Sequence, residues 1–197
     1  MIHSPAALPL VFVLLVLLGL LILLFEVRIL TYAYRKVGVH PRYAFAVMLL
    51  SLLGSQVNIP LYQASGGTVV ALNVGGALIP ILVSVYLVVR TGMLGRMLMG
   101  TAVVALIVHQ LAYVIPGVGI AVPMLLPPLI AAGVALILAF RRAPPVAYVS
   151  GSMGTLVGAD LLNLRHIERL GAPVASIGGA GTFDGVFLTG ILAGLLA

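Results

Sequence analysis

From Ala6 to Phe25 the chain carries no charged residue, and Leu, Val, Ile and Phe fill most positions. About 20 such residues carry an α-helix across the hydrocarbon core of a bilayer. This first run, at roughly 7–25, is followed by others at 43–61, 69–89, 97–115, 123–140, 146–163 and 175–197. In lipid the backbone must satisfy its own hydrogen bonds, so runs of this kind become helices. The expected fold is all-α. It is a polytopic transmembrane helix bundle of about seven spans, with some broken or re-entrant segments, forming a single integral membrane domain over 1–197. Hydrophobic residues make up 62% and charged residues 7%, where soluble domains carry about 25% charged residues. Too few charges remain to cover a water-facing surface.

No basic stretch precedes the first run, and no small-residue cleavage site closes it. Glu26 and Arg28 end it instead. It is therefore expected to be a first transmembrane helix and not a cleaved signal. The sequence Ile29–Tyr34 beyond it reads as a short interfacial helix.

The net charge of +6 does not point to nucleic acid, because the basic residues stand in ones and twos at predicted helix ends. There they anchor and orient spans. Arg28, Arg35, Lys36 and Arg42 follow the first span, Arg90 and Arg96 the third, Arg141 and Arg142 the fifth. This pattern predicts an outside N-terminus and basic loops in the cytoplasm, with the protein in the cell (inner) membrane as a multi-pass chain. Arg165 and Arg169 break the alternation. Either two charges are tolerated outside, or part of 123–163 is re-entrant. Cysteine is absent, which excludes disulfides, thiolate metal sites and thiol catalysis. The expected partners are membrane lipid and transmembrane peptides; no cofactor is implied.

Glycine and proline interrupt the runs at Gly66-Gly67, Gly75-Gly76, Pro116-Gly117, Pro127-Pro128 and Gly178-Gly179. Irregular backbone at membrane depth survives only inside protein or beside a wet cavity. The β-branched stretch Thr68–Leu72 reads either as a short strand or as a helix start. A weak internal repeat pairs Leu53-Gly54-Ser55-Gln56 with Val157-Gly158-Ala159-Asp160. It also pairs Val74-Gly75-Gly76-Ala77 with Ile177-Gly178-Gly179-Ala180, and it aligns Gln56 with Asp160.

The chain has four acidic residues, and two of them, Asp160 and Asp184, fall in apolar segments. A carboxylate at that depth costs at least about 3 kcal/mol, and such residues usually serve function. The competing reading is a cap on a broken helix. Spans six and seven are consecutive and joined by a short loop, which predicts antiparallel neighbours whose carboxylates meet if they share a depth. Two carboxylates in contact keep one proton between them. One then takes a proton from water while the other polarises a carbonyl, which is acid–base peptide hydrolysis. In Gly178–Gly185, glycines permit unusual dihedrals and close approach, or simply tight helix crossing.

The segment Asp184-Gly185-Val186-Phe187-Leu188-Thr189-Gly190 resembles the start of the second catalytic helix in presenilins and signal peptide peptidases. Asp160-Leu161-Leu162-Asn163-Leu164 resembles the surroundings of their first catalytic aspartate. The likeness spans Tyr148 to Gly190. It departs from the Gly-x-Gly-Asp pattern at Phe183 and from the usual aromatic at Ala159, and no Pro-Ala-Leu follows. It implies an intramembrane aspartyl protease with Asp160 and Asp184 as the catalytic pair and Gly181, Phe183 and Gly185 shaping the backbone beside them. The run Ser176–Gly190 also resembles an uncharacterised prokaryotic membrane family.

Asn58, Asn73 and Gln56 are amides in apolar runs. They read either as lining the same cavity or as holding helices together. His109 reads first as a helix–helix hydrogen-bond partner; no His/Glu spacing supports a metal site. A transporter that binds a proton or cation at the aspartates, and a non-catalytic membrane protein, are the alternatives to hydrolysis.

Overall fold

In the computed structural model, described over residues 7–64, 67–115, 119–167, 173–179 and 185–197, the apolar runs become helices until glycine, proline or a β-branched stretch stops them. Helix α1 (Ala7–Lys36) is continuous through Glu26, Arg28 and Ile29–Tyr34. The expected boundary at Phe25 and the separate interfacial helix are both corrected. Glu and Arg are good helix formers, and their long side chains reach toward water from within a helix.

Helix α2 (Pro41–Gly54) begins at a proline, after His40, whose side chain accepts the Arg42 N–H. The run expected over 43–61 then becomes strand β1 (Asn58–Gln63). The Thr68–Leu72 stretch is strand β2 (Val69–Asn73), which passes directly into a π turn, Val74–Leu78, and helix α3 (Ile79–Thr91). Helix α4 (Leu94–Leu111) leads into a small hairpin, β3 (Tyr113–Ile115) and β4 (Gly119–Ala121). Helices α5 (Leu126–Ala139) and α6 (Ala143–Thr155) follow, separated by a 3-10 turn at Phe140–Arg142. A second π turn, Leu156–Asp160, a 3-10 turn, Leu161–Asn163, and short α7 (Leu164–Ile167) extend α6. Strand β5 (Val174–Ile177) and helix α8 (Gly185–Leu196) complete the described order.

Among the described residues, four helical stretches are long and apolar enough to cross a membrane: Leu14–Lys36, Val74–Thr91, Leu94–Leu111 and Leu126–Asn163. The chain is a membrane protein and an all-α bundle. Among the described residues the span count by length is lower than expected: parts of the second and seventh runs form β1 and β5, and α2 and α8 as described are shorter than a span. The stretch Leu126–Asn163 is two helices: Ala139 and Arg142 leave helical dihedrals (φ −152 and −137), and α5 packs back on α6.

Helix α6 is the centre, with α3, α4, α5 and α8 around it. Small residues let the neighbours in. A Cβ on Gly154 would stand 2.6 Å from the Val104 Cβ, one on Gly158 would strike the Ala105 carbonyl, and one on Gly190 would strike the Ser152 hydroxyl. In lipid, where apolar burial between helices contributes little, such close contact holds a bundle together. Contacts at Gly100–Ser150 and Val104–Gly154 make α4 and α6 parallel; contacts at Gly151–Thr189 and Gly194–Pro144 make α6 and α8 antiparallel.

This winding gives the bundle two unlike ends. At one, Gly194 meets Val37, Gly38 meets Leu87, and the Lys36 ammonium donates to the Leu195 carbonyl at 2.7 Å. Arg96 and Arg142 lie together there as well. This is the basic end. At the other, the strand end, β1, β2 and β5 form one sheet in the order β1-β2-β5. β1 pairs antiparallel with β2 through an irregularity between Pro60 and Tyr62; β5 pairs parallel, Val69 with Val174 through Leu72 with Ile177.

Candidate functional site

Asp160 closes the π turn at the strand end of α6 and is partly buried. Its Oδ2 accepts the Gly178 backbone N–H at 2.7 Å. The parallel pairing of β5 with β2 is what brings Gly178 there, because the chain leaves β5 alongside the start of the first π turn. Gly178 has φ +85, and a Cβ on it would lie 2.6 Å from the Ala77 nitrogen. Only glycine meets both demands. Gly179, at φ +79, follows, its N–H donating to the Ser176 carbonyl at 3.1 Å.

The two asparagines hold the sheet to the helices. Asn73 is fully buried; its Nδ2 donates to the Ser55 carbonyl at 2.8 Å and to the Asn58 Oδ1 at 3.1 Å. Its Oδ1 accepts the Gly76 N–H at 2.7 Å, capping the π turn. Asn58 Oδ1 also accepts the Ser176 hydroxyl at 2.5 Å. One side-chain network therefore ties the end of α2 to β1, β2 and β5. These bonds are those of the holding role, made to protein groups. Gln56 is exposed and donates to the Ser55 hydroxyl at 3.4 Å.

Three residues past Asp160, Asn163 donates from Nδ2 to the carbonyls of Gly158 and Ala159, each at 3.0 Å. The same nitrogen lies 3.2 Å from His109 Nδ1. His109 thus joins α4 to the extension of α6, the helix-to-helix role expected of it. The Asn163 bonds satisfy carbonyls at the π turn, fixing the backbone that carries Asp160. Among the described residues no group of three or more His, Cys, Asp or Glu is spaced to hold a metal ion.

Asp184, Gly181 and Phe183 lie outside the described residues. Gly185 opens α8, and a Cβ on it would meet Val122 at 3.7 Å. Val186, the next residue, shares a buried apolar cluster with Leu156, Val70, Ala77 and Ile177. Leu156 lies one helical turn before Asp160.

The sequence reading missed three contributors: Gly178 as an amide donor, Ser176 as a partner of Asn58, and Asn163 as the support of the π turn. Only Asn163 had a local signal, a lone amide three residues from the aspartate. The other two depend on a strand pairing across about a hundred residues of chain, with no short-range pattern to announce it.

A family model described as "Protein of unknown function (DUF1614)" matches residues 20–196, and the chain belongs to that family. No curated protein and no solved structure matches it.

Proposed function

We propose that the chain is an intramembrane aspartyl protease-like enzyme, with Asp160 and Asp184 as a pair that hydrolyses membrane-embedded peptides. The observation that carries this reading is the antiparallel packing of α6 and α8. Pro144 stands by Gly194 and Gly151 by Thr189, and toward the strand end Leu156, one turn before Asp160, shares a buried cluster with Val186 at the start of α8. The Asp160 bond to Gly178 supports it from the other side, since it ties the aspartate to the glycine-rich segment six residues before Asp184. The residue-level likeness to presenilins and signal peptide peptidases points the same way.

In this reading one carboxylate is ionised and takes a proton from water as the water oxygen bonds to the peptide carbonyl carbon. The other gives its proton to the carbonyl oxygen. Collapse of the tetrahedral species breaks the C–N bond, with a proton passed to the leaving nitrogen. Gly181, Phe183 and Gly185 shape the backbone beside the pair, and Asn58 and Asn73 hold the strand wall that faces the substrate. The protein is a single-domain, multi-pass protein of the inner membrane, with its basic end in the cytoplasm by the positive-inside rule.

The chain's lack of cysteine gives a clean test. In an Asp160→Cys/Asp184→Cys variant, a short bifunctional thiol reagent joins the two positions in native membranes, while Asp160→Cys/Arg142→Cys gives no product. Failure to join the first pair removes the dyad. Where it joins, Asp160→Asn and Asp184→Asn each abolish cleavage of reconstituted transmembrane peptides without lowering the melting temperature.

A second reading, a proton- or cation-coupled transporter, draws on the side-by-side arrangement of two strand-to-Gly-Gly elements, Asn73–Ala77 and Ile177–Gly179. Broken elements of this kind surround midplane sites in transporters built from repeats. It predicts proton-coupled uptake by proteoliposomes, lost in Asp160→Asn, with no peptide cleaved.

A further inference from the structure

Arg96 lies in the first turn of α4, and Arg142 ends the 3-10 turn between α5 and α6. With Gly92, Met93 and Gly95 they line an open groove of about 420 Å³ at the basic end. Both arginines are exposed, and neither has a hydrogen-bond or ion-pair partner among the described residues. The described carboxylates are elsewhere: Glu26 is inside α1, and Asp160 is at the strand end. Two unpaired guanidinium groups on one concavity make a site for an anion with several oxygens, since each presents a planar fork of donors suited to phosphate. Gly92 (φ +67) turns the chain sharply here, and a Cβ on Gly95 would meet nothing within 4 Å, so the floor of the groove is open backbone.

The surface beside the groove says what carries the phosphate. Phe140, 80% exposed, and Ile137, 85% exposed, stand on the α5 side. Helices α4 and α5 pack together, with Leu138 reaching toward Gly100. Phe140 shares the 3-10 turn with Arg142, and Ile137 stands three residues before it, so the exposed apolar side chains adjoin the charged groove through that turn. A free phosphate uses only the groove; a phospholipid uses both, its headgroup in the groove and its acyl chains along Phe140 and Ile137. We propose that Arg96 and Arg142 form a binding site for the phosphate of an anionic phospholipid.

The test uses the full chain purified in detergent and read by native mass spectrometry with added phosphatidylglycerol, phosphatidylcholine or inorganic phosphate. The wild type retains phosphatidylglycerol over phosphatidylcholine, and millimolar inorganic phosphate does not displace it. Each basic residue at a membrane surface favours anionic lipid by about fivefold, so Arg96→Gln/Arg142→Gln lowers phosphatidylglycerol retention by about thirtyfold. Arg165→Gln, away from the groove, leaves it unchanged. Arg96→Lys/Arg142→Lys keeps the charge and loses the fork, and gives intermediate retention, which separates lost binding from a damaged fold. Equal retention of both lipids by the wild type, or undiminished phosphatidylglycerol retention by the Gln pair, overturns the proposal. Displacement by inorganic phosphate overturns the choice of lipid as its carrier.

Discussion

The two ends of this bundle solve the same problem by different means. Each must finish helices whose terminal N–H and C=O groups have no partner within the helix. The basic end finishes them with short turns and long cationic side chains: Gly92 reverses the chain after α3, and Lys36 caps the Leu195 carbonyl of α8. The strand end finishes them with backbone pairing and buried amides. There α2 ends against Asn73, the first π turn is capped by Asn73, and the extension of α6 is held by Asn163 and by Asp160 on Gly178. Flexible side chains at one end leave room for exchange with water and lipid. Fixed hydrogen bonds at the other leave little slack around Asp160.

That contrast predicts a gradient of mutational damage. The largest effect belongs to Gly178→Leu, which puts a side chain at a left-handed φ and against Ala77. Strain and overpacking together cost about 3 kcal/mol or more. The variant is expected to expose the segment 173–179 to protease in detergent, while cleavage near Arg141 is unchanged. Asn73→Ala follows. It leaves the Ser55 carbonyl and Gly76 N–H without their partner, at about 2–3 kcal/mol, seen as a lower midpoint in denaturant titration. Asp160→Ala leaves the buried Gly178 N–H without its acceptor and lowers stability by about 2 kcal/mol. Asp160→Asn keeps an acceptor oxygen and stays near wild type in melting, so any loss of activity in it reports chemistry and not folding. The smallest effect is at the basic end: Lys36→Met costs about 0.5–1 kcal/mol, the usual worth of a cation at a helix C-terminus. A Lys36→Met loss larger than that of Asn73→Ala would reverse the comparison.

The sequence showed which regions are apolar more clearly than it showed their shape. Residues 123–163 read as two spans and are two helices, and Thr68–Leu72 carried the β-branched signature of β2. Asn58–Gln63 and Val174–Ile177 were absorbed into helical spans, because a short apolar run has the same hydropathy extended or coiled. What makes them strands is their partner β2, and β5 finds it only after helices α3 to α7 have been laid down between. Glu26 and Arg28 read as a stop, yet α1 runs through them. At the site, rarity made Asp160 legible: a carboxylate in an apolar run stands out. Its partner Gly178 did not, since glycine is common in any close-packed membrane helix.

The π turn at Leu156–Asp160 has one more consequence. A π turn holds one residue more than an α turn in the same span. Each residue of an α-helix advances the side-chain direction by about 100°. The compass bearing of Asp160 is therefore set by chain length as well as by chemistry. If that turn tightened to an α turn with no residue removed, everything beyond it would swing by about that angle, Asp160 included, with the carboxylate intact but facing another wall.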